Sequence, residues 1–255
     1  MSHIQELKAR LSPFAGANGE RCKKHVKSAL LNHIRALFRE AQPIEQLAKV
    51  DELYEVYHAA VTATQHISIN ISIARLEELS HTGMLSPTVP PNQWDRMPRD
   101  NVEKAFWEGE LVMRPVYGAL NTTSPVGAAP AFNPDVWIKL RSQSIVARTT
   151  FTSRNTYHLV NPALGDFNLE NALIVLQNEV YLWEDVADCF LAKYGHPEGI
   201  NTDDFIEAQI WGGVELTDVD TVYVSTLKRP AVLASITGPE CSYGSELALK
   251  VQEML

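Results

Sequence analysis

Phe205-Ile206-Glu207-Ala208-Gln209-Ile210-Trp211-Gly212-Gly213 is the stretch on which the reading of this chain turns. As a strand it alternates: Phe205, Glu207, Gln209 and Trp211 share one face, and Ile206, Ala208 and Ile210 share the other. The second face is small and apolar, which suits a core. The first carries an acid, an amide and two aromatics, a combination that suits a site. The competing reading is an edge strand whose Glu207 and Gln209 face water. Two glycines then end the run and allow a sharp turn or a close approach of the backbone.

Outward from this strand, His66-Ile-Ser-Ile-Asn-Ile-Ser-Ile73 alternates strictly and predicts a second strand, with four isoleucines on one face. Arg75 follows its end, before a short helix over Leu76–Ser80 that Gly83 closes. Strands are also expected at Leu111–Leu120, Val136–Leu140, Val146–Thr152 and about Asp220–Ser225. Pro115 marks the first of these as an edge or bulged strand. Arg148, Thr150 and Thr152 would share one face of Val146–Thr152. Apolar periodicity predicts helices over Lys23–Ala41 and Ile44–Val61, with a short one over Ile4–Leu11 and a loop between. Further helices are expected over Asp100–Glu108, Glu170–Leu191 and Ser245–Leu255, with Asp100 or Asn101 and Ser245 as caps. Ser86–Arg99, with four prolines, reads as a loop. Helix is mostly N-terminal and strands cluster from residue 66 onward. The class is therefore α+β with a mostly antiparallel sheet, divided into an N-terminal helical region, 1–62, and an α+β domain, 63–255.

The chain has 255 residues, 45% of them hydrophobic and 21% charged, ordinary values for a globular protein with a full core. A net charge of -9 argues against a broad nucleic-acid surface, which needs clustered Lys and Arg. The basic stripe Lys23, Lys24, Lys27, Arg35 and Arg39 reads as a solvated helix face. Three distant cysteines give neither a disulfide framework nor a zinc knuckle, and no close histidine pair suggests a metal. No apolar run approaches a membrane span, and the N-terminus lacks the apolar centre of a Sec signal. A cytoplasmic protein, or an effector exported by another route, is expected. GxGxxG, GxxxxGK[ST], HExxH and GxSxG are all absent, which sets aside Rossmann dehydrogenases, P-loop NTPases, zincins and ordinary serine esterases.

What remains is an ordered set: an arginine, Arg75 or Arg114; then Thr150 and Thr152 on a strand; then Glu207-Ala-Gln209 on a last strand. This set resembles the Arg–Ser–Glu plan of the ADP-ribosyltransferase superfamily. A closer resemblance is to a bacterial domain family of unknown function, suspected to belong to that superfamily. It is carried by Ser68-Ile-Asn-Ile-Ser-Ile-Ala-Arg75, Arg114-Pro-Val-Tyr-Gly-Ala-Leu-Asn121, Gly127-Ala-Ala-Pro130, Arg148-Thr-Thr-Phe151 and Ile206-Glu-Ala-Gln-Ile-Trp-Gly212. The resemblance implies a split antiparallel β-sandwich behind an N-terminal helical hairpin. It implies NAD as a substrate and a protein or other macromolecular acceptor. A guanidinium from Arg75 or Arg114 would grip the phosphates, Thr150 and Thr152 would brace the nicotinamide ribose, and Glu207 would be the catalytic carboxylate. Tyr117, Gln209 and Trp211 would complete the nucleotide site, Tyr117 and Trp211 having core packing as their alternative.

The chain departs from these patterns twice. Ser72 stands where members of the bacterial family carry a histidine. Phe205 stands two residues before Glu207, where arginine-modifying relatives carry Glu or Gln. The second functional reading is accordingly a non-catalytic interaction module on the same fold, using the basic helix or the proline-rich loop to bind a partner.

Overall fold

The computed structural model describes residues 3–37, 43–64, 66–89, 93–121, 136–141, 145–152, 156 and 207–253. The expected helix Glu170–Leu191, the loop Asn161–Asn168, Gly127–Pro130, Phe205 and Ile206 lie outside them. In chain order the elements are α1 (His3–Leu37), α2 (Pro43–Thr64), β1 (His66–Ile71), α3 (Ile73–Thr82), β2 (Met84–Leu85), α4 (Gln93–Phe106) and β3 (Pro115–Asn121). They continue with β4 (Val136–Leu140), β5 (Thr149–Thr152), β6 (Glu207–Trp211), β7 (Val214–Glu215), β8 (Val219–Val224), α5 (Arg229–Ile236), α6 (Gly244–Ala248) and β9 (Val251–Glu253). Short 3₁₀ turns at Val146–Arg148 and Leu216–Asp218 lead into β5 and β8.

Seven strands form one sheet in the order β5-β6-β3-β1-β4-β8-β9, and β2 pairs with β7 in a small second sheet. Every pairing is antiparallel except β8 with β9. The class is α+β, as the segregation of helix and strand predicts. β1 pairs with β3 only over His66–Ser68, against Ala119–Asn121, and continues beside β4 from Ser68 to Ile71. β3 continues beside β6 from Ala119 back to Pro115. The sheet therefore forks beyond the Ser68–Ala119 pair.

One face of the sheet is apolar. Ile67, Ile69, Val116, Leu120, Ile138, Phe151, Ala208, Ile210 and Val222 join Leu76 and Leu79 of α3 and Val232 and Ile236 of α5 in the main core. Burying each of the Val, Leu, Ile and Phe side chains among them stabilises the fold by about 1.5–3 kcal/mol. Val26, Leu30 and Ile34 of α1 and Val50 and Tyr54 of α2 belong to the same cluster. On the basic face, Lys27 pairs with Asp51 at 2.9 Å and lies over the Tyr54 ring, tying the two helices together.

Several boundaries differ from the sequence expectation. α1 is continuous across Pro13, where a loop was expected. Leu7, Leu11, Ala15, Val26, Leu30 and Ile34 are buried, and their spacings of four and eleven keep them on one helical face, so packing outweighs the proline and glycine penalty. β1 stops at Ile71, because Ser72 is the N-cap of α3, its hydroxyl accepting the Arg75 N–H at 3.4 Å. α4 begins at Gln93, inside the expected proline loop, and Asp100 and Asn101 are interior to it. Pro115 opens β3, which lies between β6 and β1 and is not an edge strand. Val146–Arg148 is a turn, so only Thr150 and Thr152 share a strand face. The expected C-terminal helix is a single turn, α6, with Tyr243 in place of Ser245 at its N-cap. β9 follows it, where the parallel ladder to β8 captures Val251–Glu253. α5 carries no sequence expectation at all. Gly212 and Gly213, at φ 87° and 84°, make the turn after β6 that the sequence predicts.

Candidate active site

β6 is paired on both sides, with β5 and with β3, and all five of its residues are buried. The reading of Glu207 and Gln209 as water-facing residues of an edge strand is thus overturned. Register puts Thr152 opposite Glu207, Thr150 and Tyr117 opposite Gln209, and Pro115 opposite Trp211. These seven side chains share the face opposite the main core.

A directional hydrogen-bond chain runs along that face. Trp211 Nε1 donates to Thr150 Oγ1 at 3.0 Å. Having accepted there, the Thr150 hydroxyl gives its only proton to Gln209 Oε1, also at 3.0 Å. This fixes the amide orientation, and Gln209 Nε2 donates to Thr152 Oγ1 at 3.0 Å and to Glu207 Oε1 at 3.1 Å. Glu207 Oε1 also accepts the Thr156 N–H at 3.3 Å and a short bond from the Thr156 hydroxyl. Its other oxygen accepts from Arg99 Nη1 at 3.2 Å. The chain that starts at Trp211 therefore ends on one carboxylate, which is 1% exposed.

Arg99 comes from α4, which lies over this face. Its guanidinium sits 3.8 Å from the Tyr117 ring centroid and also donates to Thr156 Oγ1 at 2.9 Å. Burial opposes its charge, but Glu207 and Tyr117 outweigh that and raise its pKa. One turn along α4, Glu103 accepts from the Tyr117 hydroxyl at 3.1 Å and from Arg114 Nη1 at 2.6 Å. Arg114 Nη2 donates to Asp100 Oδ1 at 2.5 Å. Burial pushes the Glu103 carboxyl up to about 7, against the opposing pull of Arg114 and the Tyr117 hydroxyl. Burial likewise raises the Tyr117 phenol. Beyond the polar chain, Trp211 packs edge-on against Phe106 and Trp107, with Leu7 and Leu11 of α1 completing a second apolar cluster.

Of the residues singled out from sequence, Glu207, Gln209, Thr150, Thr152, Tyr117 and Trp211 come together. Arg114 reaches the group through Glu103. Arg75 does not: it binds Glu78 and the Ser86 carbonyl at the first turn of α3. Arg148 is likewise spent elsewhere, on the Trp211 and Gly213 carbonyls and Asp218, where it fastens the turn after β6. The sequence reading assigns no site role to Arg99, Glu103 or Thr156. Arg99 and Glu103 stand four residues apart beside the apolar pair Val102 and Phe106; the helix expected over Asp100–Glu108 takes in Glu103, whereas Pro98 puts Arg99 in the expected loop before it. No helix among the described residues is long and apolar enough to cross a membrane. No family model matches the chain, and no curated protein matches it.

Proposed function

We propose that this chain is an NAD-dependent ADP-ribosyltransferase of split-sandwich fold, acting on a protein or other macromolecular acceptor in the manner of an effector or toxin. The observation that carries the reading is the convergence of a guanidinium, hydroxyls and an amide on the Glu207 carboxylate, next to the fork between β1 and β3. The donor set suits a dinucleotide: a planar guanidinium for phosphate, threonine hydroxyls for ribose, and a carboxylate for positive charge. Release of nicotinamide leaves such charge on the ribose carbon, which the Glu207 carboxylate would stabilise. Gln209 and Thr156 hold that carboxylate in place.

The arrangement described is a closed one, since Glu207 is buried and both its oxygens are occupied. Substrate entry on this reading requires Arg99 to leave Glu207, with displacement of that part of α4, which frees the guanidinium for phosphate. Arg99 thereby takes the role first expected of Arg75 or Arg114. Ser72, where the bacterial family carries a histidine, is used as the cap of α3.

The test is nicotinamide release from NAD by wild type and Glu207→Gln, with and without a cell lysate supplying acceptors, alongside thermal unfolding of both proteins. The expected result is a loss of about 100-fold or more in turnover with the fold retained. Absence of NAD-dependent stabilisation and of nicotinamide release in the wild type would overturn the proposal. A non-catalytic interaction module is the second reading, favoured by the complete hydrogen bonding of Glu207. On that reading Glu207→Gln lowers the unfolding midpoint and NAD changes nothing.

A further inference from the structure

A second convergence of side chains, separate from the polar chain on β6, lies where the last turn of α3 meets the turn between α5 and α6. That inter-helical turn is pinned to α3 just after Cys241 and is closed on itself just before it. The Tyr243 N–H donates to the Ser80 carbonyl at 2.8 Å, and the Cys241 N–H closes on Gly238 at 2.9 Å. The Tyr243 ring packs on Gly83, where a Cβ would come within 2.9 Å of the ring carbons. Gly83 caps α3 at φ 73°. With both backbones fixed, His81, Glu240 and Cys241 bring one nitrogen, one carboxylate oxygen and one sulfur within 4.8 Å of one another.

The spacing matters more than the proximity. His81 Nε2 and Cys241 Sγ lie 3.7 Å apart across 160 residues of sequence. Two zinc ligands at bond lengths of about 2.0–2.1 Å for nitrogen and about 2.3 Å for sulfur, set at a tetrahedral angle, stand about 3.6 Å apart. Cys241 is buried while His81 and Glu240 are exposed, so an ion can arrive from solvent and meet the Cys241 sulfur on the protein side.

We propose that His81, Glu240 and Cys241 form a zinc-type divalent cation site with three protein ligands and a fourth position for water. A thiolate with an imidazole favours zinc and its borderline-soft neighbours over magnesium or calcium, which take oxygen ligands. Binding forms the metal–sulfur bond at the expense of the thiol S–H, whose sulfur now lies 3.6 Å from the Ser235 carbonyl. The proton leaves to solvent, so affinity falls as pH falls. A bound ion would fasten α3 to the α5–α6 turn and stabilise the fold by mass action.

The experiment uses the full chain stripped with a chelator. Zinc is titrated by calorimetry, and cobalt(II) serves as a spectroscopic substitute. The expected result is one equivalent bound and a thiolate-to-cobalt charge-transfer band. Zinc should raise the unfolding midpoint of wild type. His81→Ala, at an exposed position and therefore expected to fold, should bind zinc at least about 10-fold more weakly. Cys241→Ser should abolish the charge-transfer band. Binding of less than one equivalent, equal affinity in His81→Ala, or a cobalt complex without the thiolate band would each overturn the site.

Discussion

Strand β6 separates two interiors. On one side Ala208 and Ile210 lie in an apolar core; on the other Glu207 and Gln209 lie in a polar one, with Trp211 closing its end. All five residues are buried, so the two faces differ in what surrounds them and not in access to water. The apolar face stabilises through area, which has no direction and allows repacking. The polar face depends on each donor meeting one acceptor, and a single lost partner leaves a buried group unsatisfied. Sequence alternation is the same for both. An exposed polar face and a buried one look alike until α4 supplies Arg99 and Glu103.

The sharpest break in this comparison is Arg99→Met. The substitution keeps much of the side-chain volume over Tyr117 and removes the charge beside Glu207. An uncompensated buried carboxylate costs about 3–5 kcal/mol, read as a drop in stability by urea unfolding. Arg99→Met/Glu207→Gln, in which neither charge remains, should recover part of that loss. A single-variant cost below about 1 kcal/mol would mean the polar face is no more demanding than a surface.

Glu103 tests the same face by pH. Burial raises its carboxyl from the ordinary 4.5 to about 7, with Arg114, Tyr117, Asp100 and Arg99 around it. An acid held neutral in the folded state contributes stability that is fully present below about pH 4.5. That contribution is lost as pH rises through about 7. Wild type should therefore lose up to about 3 kcal/mol relative to Glu103→Gln between pH 4.5 and 8. Parallel stability profiles for the two proteins would show that Arg114 offsets the burial completely.

The parts of the fold legible in sequence are those set by a local period. The two-residue alternation of His66–Ile71 and Val136–Leu140 survives as β1 and β4 because one face of each meets the main core. Alternation alone puts Glu207 with Gln209 and Thr150 with Thr152; from sequence only the resemblance to the Arg–Ser–Glu plan links the two pairs, and in the structure antiparallel register carries one strand's face onto the next. What failed was set by distant packing. Pro13 reads as a break, yet Leu7 and Leu11 hold that part of α1 against Trp211 and Phe106. Ser245–Leu255 is rich in helix formers, yet the edge of β8 takes its end as a strand. Arg99 was hidden because its helix starts among prolines, and helix α4 is held by the Arg114 and Glu207 pairs it makes with distant strands.

The smallest expected effect is also the control for the comparison. Ile210 is fully buried, pairs with Val116 on one side and Thr149 on the other, and makes no polar contact through its side chain. Ile210→Val removes one methylene from the apolar face and should cost about 0.5–1.5 kcal/mol, with an unchanged urea slope. Its cost should also be the same at pH 5 and pH 8, because nothing it touches titrates in that window. A loss above about 2 kcal/mol, or one that varies with pH, would show that strain at Ile210 reaches the Glu207 chain through the shared backbone. The two faces would then be one coupled unit, and the separation between tolerant and demanding interiors would have to be abandoned.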